Sequence, residues 1–547
     1  MENKIKYIQI LLIFGLPAIL ISQKDTTKTE LKINQVEVVK AFDVTLEESR
    51  KTDIKAVIPE QKPYNPNYKY DITIVPANLN YPDPQIKPLA MNPDAPFKEA
   101  NGYFQAGYGF RKNPELMAGY HTSKKEKYDA GIHMQYEALN NHNTLPYQQY
   151  RNTIADLYGN YMIKENQKLY GNVNTSFRKR YLYQDDIGVD TLFTKEQSVR
   201  NINRYEILAG VTNAEPTKYQ FNYDFRIGLD NLSMTNTDVR ENGIKAGTKL
   251  EKLFKKNSVI SIEADFNYTA FNGKKELSLT TATFKPMFKT KYKNLIFEGG
   301  LNALYSSDLN SALFPEIYIS YGIAGPVLQV YAGISQEQYG NHYRNVTLRN
   351  PFLSNDIDSL VNTVNRKYYA GIKGQYSYIT YQVTGGLKDA RDMMFMTNKK
   401  SDLRYFDMVY SDANIIFVSG NIEFKASESL SLGGWINQNI FDLKTLPEAW
   451  HTPNLEGNVY GRTKLLNQKL ELTADLYFGS QLPYLSKENK VSKSNALLDL
   501  NINAQYNFTE KIGLFIRGIN LLNNKFERWY GYPAVGINGL AGFKVAF

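Results

Sequence analysis

Apolar and polar residues alternate with a period of two through most of the chain from about residue 98 to its end. Between Ile260 and Ala270 the even positions are apolar, and the odd positions carry Ser, Glu, Asp, Asn and Thr. The stretches 470–478 and 498–508 show the same separation. Successive side chains of a strand point to opposite faces, so each segment offers one face to lipid and one to water. This is the pattern of a transmembrane antiparallel β-barrel.

A soluble antiparallel sheet with one wet face is the alternative for any single segment. It weakens as the segments accumulate, because a soluble sheet of this size would normally curl, split or be covered by helices. Bacterial barrels have even strand numbers, and we predict about 22 strands, with 20 or 24 as alternatives. Among the predicted strands are 216–228, 326–336, 378–388 and 407–425.

The connections between the predicted strands support this count, because a barrel has short turns at its periplasmic end and longer loops outside. Short connections such as KKEK, KENQK, KYKN and FTEK follow even-numbered strands. The long connections all follow odd-numbered strands: 183–197, 229–241, 337–363, 389–406, 480–493 and 522–534. A miscount by one in the middle of the chain would break this parity.

Residues 1–22 have the pattern of an export signal peptide. Lys4 and Lys6 are its positive region, Ile8 to Ile21 form its apolar region, and we expect cleavage near Ser22 and Gln23. The alternative is a membrane anchor, but the apolar run is shorter than the roughly 20 residues that a spanning helix needs. No later segment resembles a spanning helix, so a membrane protein here is predicted to be a closed barrel in the cell outer membrane.

Residues 23–97 differ in kind from the predicted barrel, 98–547. Nine of the 21 prolines lie between Pro59 and Pro96, and proline is excluded from central strands. We therefore expect an extended periplasmic segment that threads into the barrel.

The amino-acid composition limits the kinds of partner and cofactor that we expect for this protein. The chain has no Cys, which excludes disulfides, thiolate metal sites and an acylated N-terminal cysteine. The net charge is +9, but the basic residues are scattered among acidic ones, so we predict no nucleic-acid partner. We also predict no cofactor.

The C-terminal residues resemble the closing hairpin of TonB-dependent receptors. The matching features are an Asn-Leu pair at Asn520 and Leu521, the aromatic Phe526, the turn Gly531 to Pro533, and the terminal Phe547. Phe543, Val545 and Phe547 also resemble the C-terminal signal read by the barrel-assembly machinery. The resemblance implies a 22-stranded barrel that inserts through that machinery and contacts outer-membrane lipid.

A second, shorter likeness lies near the N-terminus. Val36, Glu37, Val38 and Val39 resemble the TonB box of these receptors, although a Val-rich run is also typical of an ordinary strand. The family's plug is a longer, Gly-rich folded domain, so the resemblance covers the barrel and implies a reduced or absent plug. Something must still fill so wide a lumen: residues 23–97, inward-folded loops such as 337–363 and 389–406, or a partner protein.

Three functions follow from these features. The first is a TonB-dependent receptor-like barrel for uptake or binding of an unidentified substrate, with TonB and a surface lipoprotein as partners. The second is a non-transporting barrel that serves as a subunit or scaffold of a larger complex for barrel assembly, secretion or lipoprotein display. The third is an outer-membrane hydrolase, which needs a nucleophile, a base and an orienting group together.

The residues that could take part in catalysis or ligand binding do not support an enzyme. The histidines are isolated from one another and fit no catalytic or metal pattern: His121, His133, His142, His342 and His451. The acidic loop residues Asp185, Asp186, Asp190, Asp356 and Asp358 are read as solvated charge, with calcium binding as the alternative. Trp435, Trp450 and Trp529 are expected in the aromatic girdles of the barrel, with a ligand contact as the alternative for the last two. The predicted lumen charges are of mixed sign: Arg178, Arg180, Glu263, Asp265, Asp475 and Arg517.

Overall fold

The structure, a computed structural model, describes residues 101–547 apart from 125–126, 184–193, 236, 255–256, 310 and 428. The signal peptide, the segment 23–97 with Val36 to Val39, and Asp185, Asp186 and Asp190 lie outside the described residues. Neither helix among the described residues has the length and apolar content that a membrane-spanning helix requires.

One antiparallel sheet of 22 strands closes on itself, which confirms the predicted fold and strand number. The strands are β1 Gly102–Gly109, β2 Asn113–Lys124, β3 Tyr128–Asn140, β4 Gln149–Lys164, β5 Gln167–Tyr181, β6 Val199–Asn213, β7 Phe221–Met234, β8 Arg240–Phe254, β9 Ser258–Asn272, β10 Glu276–Tyr292, β11 Leu295–Ser306, β12 Ala312–Gly322, β13 Gln329–Gly340, β14 Asn362–Tyr376, β15 Ile379–Lys399, β16 Asp402–Ser427, β17 Leu430–Leu443, β18 Leu455–Leu465, β19 Leu470–Gly479, β20 Leu497–Asn507, β21 Ile512–Ile519 and β22 Asn538–Ala546. Each strand pairs with its neighbours in sequence, and β1 pairs with β22 from Tyr103–Ala546 to Gly109–Leu540.

The loops contain the remaining regular structure of the described residues. The helices are α1 Lys195–Ser198 and α2 Tyr343–Arg349. Two short hairpins pair Pro483–Leu485 with Val491–Lys493 and Glu527–Trp529 with Tyr532–Pro533. The long connections lie at one end of the barrel, which we call the loop end, and the short ones at the other, which we call the turn end.

The alternation seen in the sequence sets the two faces of the wall. Ile260, Phe266 and Tyr268 of β9 are exposed on its outer face. The polar positions between them point inward, where Asp265 pairs with Arg226. The wall therefore has an apolar outside and a polar lumen, as a membrane barrel requires.

Three predicted boundaries are wrong at the loop end. The strand predicted at 216–228 is β7, which runs on to Met234, and the one predicted at 326–336 is β13, which continues to Gly340. The predicted loop 389–406 is a continuation of the hairpin of β15 and β16. Its apolar residues do not alternate because both of its faces are covered by other loops.

Candidate functional site

Three segments cover the loop end of the barrel, and together we call them the cap: the inward loop 341–361, the upper hairpin 393–411 and the last loop 520–537. Their buried apolar side chains share one core with the inward faces of β6 to β10. The core comprises Leu182, Ile202, Leu232, Met234, Val239, Phe271, Leu279, Tyr343, Val346, Phe352, Leu353, Ile357, Leu360, Met396, Phe406 and Tyr532. The cap is thus a packed apolar structure across the wide lumen.

Aromatic rings form the centre of the cap. The rings of Phe352 and Tyr532 stack with centroids 3.6 Å apart. The Phe406 ring lies 5.5 Å from Trp529 and 5.2 Å from His451, both in edge-on contact. Such rings bury large apolar areas with defined geometry, so they hold the three segments in one arrangement.

A bulge in β15 accompanies the change from wall to cap. The β15–β16 register shifts between Ala390 and Met393, and Asp392 has a positive φ of 49°. A bulge bends a hairpin and increases its twist. Beyond it, Phe406 joins Leu353 of the inward loop in an isolated parallel bridge, which places the upper hairpin over the barrel.

The inward loop is fixed to the lumen wall by a buried ion pair. Arg344 of α2 donates to Glu241 of β8 at 2.8 Å, and the two side chains are 1% and 0% exposed. The backbone N–H groups of Tyr343 and Arg344 donate to the same carboxylate at 2.7 and 3.2 Å. Asp230 of β7 lies 3.5 Å from the Arg344 guanidinium. Each charge is therefore held in place by its partner, and removal of one leaves the other buried without compensation.

The ends of β13 and β14 lean into the lumen toward this loop. The β12–β13 ladder covers only Ile317–Gly322, whereas β13 pairs with β14 up to Gly340. Beyond the ladder, the Gln336 N–H donates to Glu316 at 3.1 Å, and its carbonyl accepts from Asn302 of β11 at 3.1 Å. Inward side chains of the wall thus bind the backbone of the leaning strand.

Two adjoining cavities lie between the wall and this leaning segment. The first, of about 440 Å³, is lined by side chains of β9 to β11 and by 336–339. The second, of about 270 Å³, shares Asp265, Thr283 and Gln338 with the first and reaches His342 and Asn362. We call the two together the lumen cavity. It is lined mainly by polar side chains of the wall and of the leaning segment, and it can hold a small polar molecule.

The rings of all three tryptophans lie away from the lipid-facing surface of the barrel. The predicted position in the aromatic girdles is therefore wrong for all of them. Trp435 alternates with the outward Leu432 and Ile436, and therefore lies on the inward face of β17. Trp450 is buried against Phe395 of the upper hairpin, and Trp529 contacts the cap core. The long loops fold over the lumen, so the rings in these loops are taken away from the lipid boundary.

The histidines occupy separate places. The imidazole of His121 lies 2.8 Å from Asp129, and that of His133 lies 3.6 Å from Asp156, inside the barrel as predicted for His133. Burial lowers the pKa of the His342 imidazole to about 3, and the positive charges of Arg344 and Lys245 act in the same direction. Burial lowers the pKa of the His451 imidazole to about 4, against a hydrogen bond with the Met396 carbonyl that raises it.

The acidic residues of the inward loop form ion pairs with lysines. Asp356 lies 2.8 Å from Lys274 and 3.6 Å from Lys399, and Asp358 pairs with Lys275. The lysines hold the pKa of the Asp356 carboxyl below its ordinary value. In the described part of the chain, no group of three or more His, Cys, Asp and Glu side chains could hold a metal ion. Asp356 and Asp358 thus form ion pairs with lysines at an exposed part of the loop.

The lumen charges that the sequence predicted are mainly paired or hydrogen-bonded. Arg517 donates to Glu115 at 2.7 Å, and Asp475 accepts from Asn458 at 2.7 Å. Arg178 donates to Ser176 at 3.2 Å, and Arg180 donates to backbone carbonyls of Arg151 and Lys179. Glu263 and Asp265 both lie near Arg226. No single sign dominates these residues.

The C-terminal residues complete the barrel. The backbone of Phe547 exchanges hydrogen bonds with Gly102 at 2.8 and 2.9 Å, and Phe543 and Phe547 are exposed on the outer face. Val545 pairs with Phe104 of β1. Asn520 is buried and donates to the carbonyls of Asn524 and Val535 at the base of the last loop. The role of Phe543, Val545 and Phe547 as an assembly signal stays a prediction.

Sequence reasoning missed the residues that build the cap. The sequence does not indicate which contacts are made by four of these residues: Arg344, Glu241, Phe352 and Phe406. The only signal available was the aromatic and apolar content of the long connections, which is unusual for solvated loops.

Comparison with solved structures supports the fold. The FrpB iron transporter of Neisseria meningitidis (F3-3 variant) matches with a TM-score of 0.65 and 8% identity over 82% of each chain. The siderophore receptor PirA of Acinetobacter baumannii matches with a TM-score of 0.64 and 10% identity over 82% of this chain and 80% of that chain. FpvAI, in its complex with pyocin S2, matches with a TM-score of 0.62 and 8% identity over 82% and 70%.

These likenesses confirm the resemblance to TonB-dependent receptors at the level of the barrel fold. No protein-family model matches the sequence. No curated protein sequence matches it either.

Proposed function

We propose that the protein is an outer-membrane receptor-like barrel of TonB-dependent type, which binds or takes up a substrate through a gate formed by the cap. The observation that carries this proposal is the packed apolar core across the loop end, above a polar lumen. A 22-stranded barrel encloses a lumen that must be closed for the membrane to remain a barrier. Loops that close it are also the parts that a substrate must displace.

We infer the orientation of the barrel in the membrane from the lengths of its connections. Long loops of bacterial barrels lie outside the cell and short turns lie in the periplasm. The loop end is then extracellular, and the N-terminal segment 23–97 reaches the barrel from the periplasm after removal of the signal peptide 1–22. In this arrangement Val36 to Val39 contact TonB, and the segment acts as a reduced plug.

The fold likeness to iron and siderophore receptors supports a receptor of small substrates. Those proteins are transporters and receptors, not enzymes, and the separate positions of the five histidines agree with a non-catalytic role.

One observation favours a second candidate, a non-transporting barrel subunit or scaffold. The cap is held by a packed core of buried apolar side chains, and opening it exposes this surface to water at a cost in free energy. A barrel that never opens needs no gate and can serve a barrel-assembly, secretion or surface-lipoprotein complex.

Gentle detergent extraction of the native protein, with identification of the proteins that co-purify, separates the two candidates. Recovery of the barrel alone, or with TonB and a surface lipoprotein, agrees with the receptor. Loss of TonB from the sample after deletion of residues 36–39 would support the proposed contact. Stoichiometric recovery of other outer-membrane proteins would contradict transport and identify the process that the scaffold serves.

A further inference from the structure

Three lysines lie beside exposed aromatic rings at the turn end of the barrel. Each has its Nζ atom 4.9–6.0 Å from the centroid of one ring: Lys218 from Tyr219, Lys252 from Phe254, and Lys293 from Tyr292. The three rings are 44–68% exposed, as is typical of the aromatic residues that flank the lipid-facing band of a barrel. We call these six residues the basic rim.

The connections that carry the basic rim adjoin one another. Lys252 of β8 donates to the carbonyl of Tyr219 in the β6–β7 connection. The Lys291 N–H donates to the carbonyl of Asn257 at 3.0 Å, which joins the end of β10 to the β8–β9 connection. Because β8 and β10 are two strand spacings apart, roughly 10 Å, lysines at their ends can reach one small headgroup from two sides.

The lysines of the basic rim differ from inward lysines of the same strands in their ionic partners. On the inward face, Lys249 of β8 lies 2.8 Å from Glu251, and Lys289 of β10 pairs with Glu298. No carboxylate among the described residues forms an ion pair with a lysine of the basic rim. The wall thus neutralises these inward lysines, whereas the lysines of the rim are available to an anion from outside the protein.

The residues around the basic rim are also mainly positive. Over 214–220, 252–258 and 290–295, the described residues contain the three lysines of the rim, a fourth lysine, Lys291, and one carboxylate, Glu215. Phosphate groups of lipids are attracted to such a basic surface. A choline or ethanolamine headgroup also carries a cation, which the lysines repel, so a lipid with a net negative charge fits this surface better.

We propose that the basic rim binds an anionic phospholipid, whose phosphate accepts hydrogen bonds from the lysines while its acyl chains contact the exposed rings. In the orientation proposed above, the turn end lies in the periplasmic leaflet, which is the phospholipid leaflet of the outer membrane. The site does not depend on the proposed receptor function, because a scaffold barrel would place the same surface in the same leaflet.

The test uses the full-length protein in vesicles of brominated phosphatidylcholine, which quenches the fluorescence of a tryptophan that touches lipid. The native Trp435, Trp450 and Trp529 lie away from the lipid-facing surface, so Tyr292→Trp adds a reporter on the rim above a low background. Unbrominated phosphatidylglycerol should relieve the quenching more than the same amount of unbrominated phosphatidylcholine. We expect a preference of at least about fivefold, the effect of one lysine that contributes about 1 kcal/mol.

A second reporter and lysine variants locate the site. Tyr376→Trp is the matched control, because Tyr376 lies at the end of β14, is 64% exposed and has no described lysine over its ring. In the Tyr292→Trp background, Lys218→Gln, Lys252→Gln and Lys293→Gln together should reduce the preference to that of the control. Lys252→Arg should keep it, since arginine also donates to phosphate. Heat-modifiable gel mobility confirms that each variant is folded.

Equal preference at positions 292 and 376 would overturn the inference and leave an acidic protein as the partner of the rim. A preference that survives the three glutamine substitutions would also overturn it, because the lysines would then not bind the headgroup. Soluble glycerol phosphate, equimolar to phosphatidylglycerol, should leave the preference unchanged. Loss of the preference in its presence would mean that the rim binds a free phosphate and not a lipid.

Discussion

The ring of Phe352 in the inward loop stacks on the ring of Tyr532 in the last loop, with centroids 3.6 Å and planes 11° apart. Phe406 of the upper hairpin packs beside the same pair, 6.2 Å from the Tyr532 ring. All three rings are buried. Three loops far apart in sequence therefore depend on one aromatic centre, and a defect in this centre should loosen the whole cap.

The first prediction concerns that centre. Phe352→Ala should remove about 3–5 kcal/mol of packing free energy and raise the fraction of barrels with an open cap. Cells that produce the variant should become sensitive to a large hydrophilic antibiotic that the intact outer membrane excludes. The control is Phe110→Ala, since Phe110 is 67% exposed and packs in no part of the cap core. Unchanged resistance in Phe352→Ala cells, at equal protein level, would show that the cap does not close the pore.

The second prediction concerns the ion pair beneath α2. Arg344→Met leaves Glu241 buried without its cation, at a cost of about 3–5 kcal/mol, so the inward loop should detach from the wall. The chain has no native Cys, and Thr347→Cys places a single thiol at a buried position of α2. This thiol should react with an impermeant maleimide much faster in the Arg344→Met background.

Two further variants test the cause of that change. Arg349→Met removes an exposed arginine from the same helix and should leave the thiol protected. Arg344→Met combined with Glu241→Gln removes both charges and should restore part of the protection. A thiol that stays protected in Arg344→Met would mean that apolar packing alone holds the loop.

The barrel could be predicted from sequence because its wall borders lipid on one side and water on the other. Residues such as Ile260 and Asp265 report those two environments directly, and the parity of short and long connections supported a count of about 22 strands, with 20 or 24 as alternatives. The hairpin residues Met393 to Met396 gave no such signal. They are covered on both faces, so their apolar side chains do not alternate.

Inward folding of the loops 337–363 and 389–406 was one of the predicted ways to fill the lumen, and the structure shows it. The contacts within the cap could not be predicted, for a different reason. The contact between Arg344 and Glu241 depends on how a loop folds across the lumen, and no local spacing encodes that path. Trp450 and Trp529 show the same limit. Their ring chemistry suits a membrane boundary, but the fold places Trp529 in the cap and packs Trp450 against the upper hairpin of the cap. Loop contacts of this kind need the tertiary structure.

The third prediction concerns pH. His342 and His451 are neutral in the closed cap, with pKa values lowered to about 3 and about 4, whereas a released imidazole has a pKa near 6.5. Between these values the released state binds a proton that the closed state does not. The closed cap should therefore keep its full stability above about pH 6.5 and lose up to about 1.4 kcal/mol per histidine and pH unit below it.

Tryptophan emission can follow this change, because Trp450 and Trp529 lie in or beside the cap core. The emission maximum should move to longer wavelength as the pH falls from about 6.5 to about 4. His342→Gln combined with His451→Gln should flatten this response, and His142→Gln, in an exposed loop position, should not. A shift of equal size in the double variant would assign the pH dependence to other groups.

The last prediction concerns the C-terminal strand as an assembly signal. Phe547 closes the barrel by backbone hydrogen bonds to Gly102, which do not need its side chain. Its ring is 58% exposed on the outer face, so it adds little to internal packing. Phe547→Ala should therefore leave the stability of the finished barrel nearly unchanged but slow insertion, and the amount of heat-modifiable protein in the outer membrane should fall severalfold. Phe508→Ala, which removes another exposed ring near the turn end, is the matched control. Equal losses for the two variants would mean that the Phe547 ring acts only through contact with lipid and that the assembly machinery does not read it.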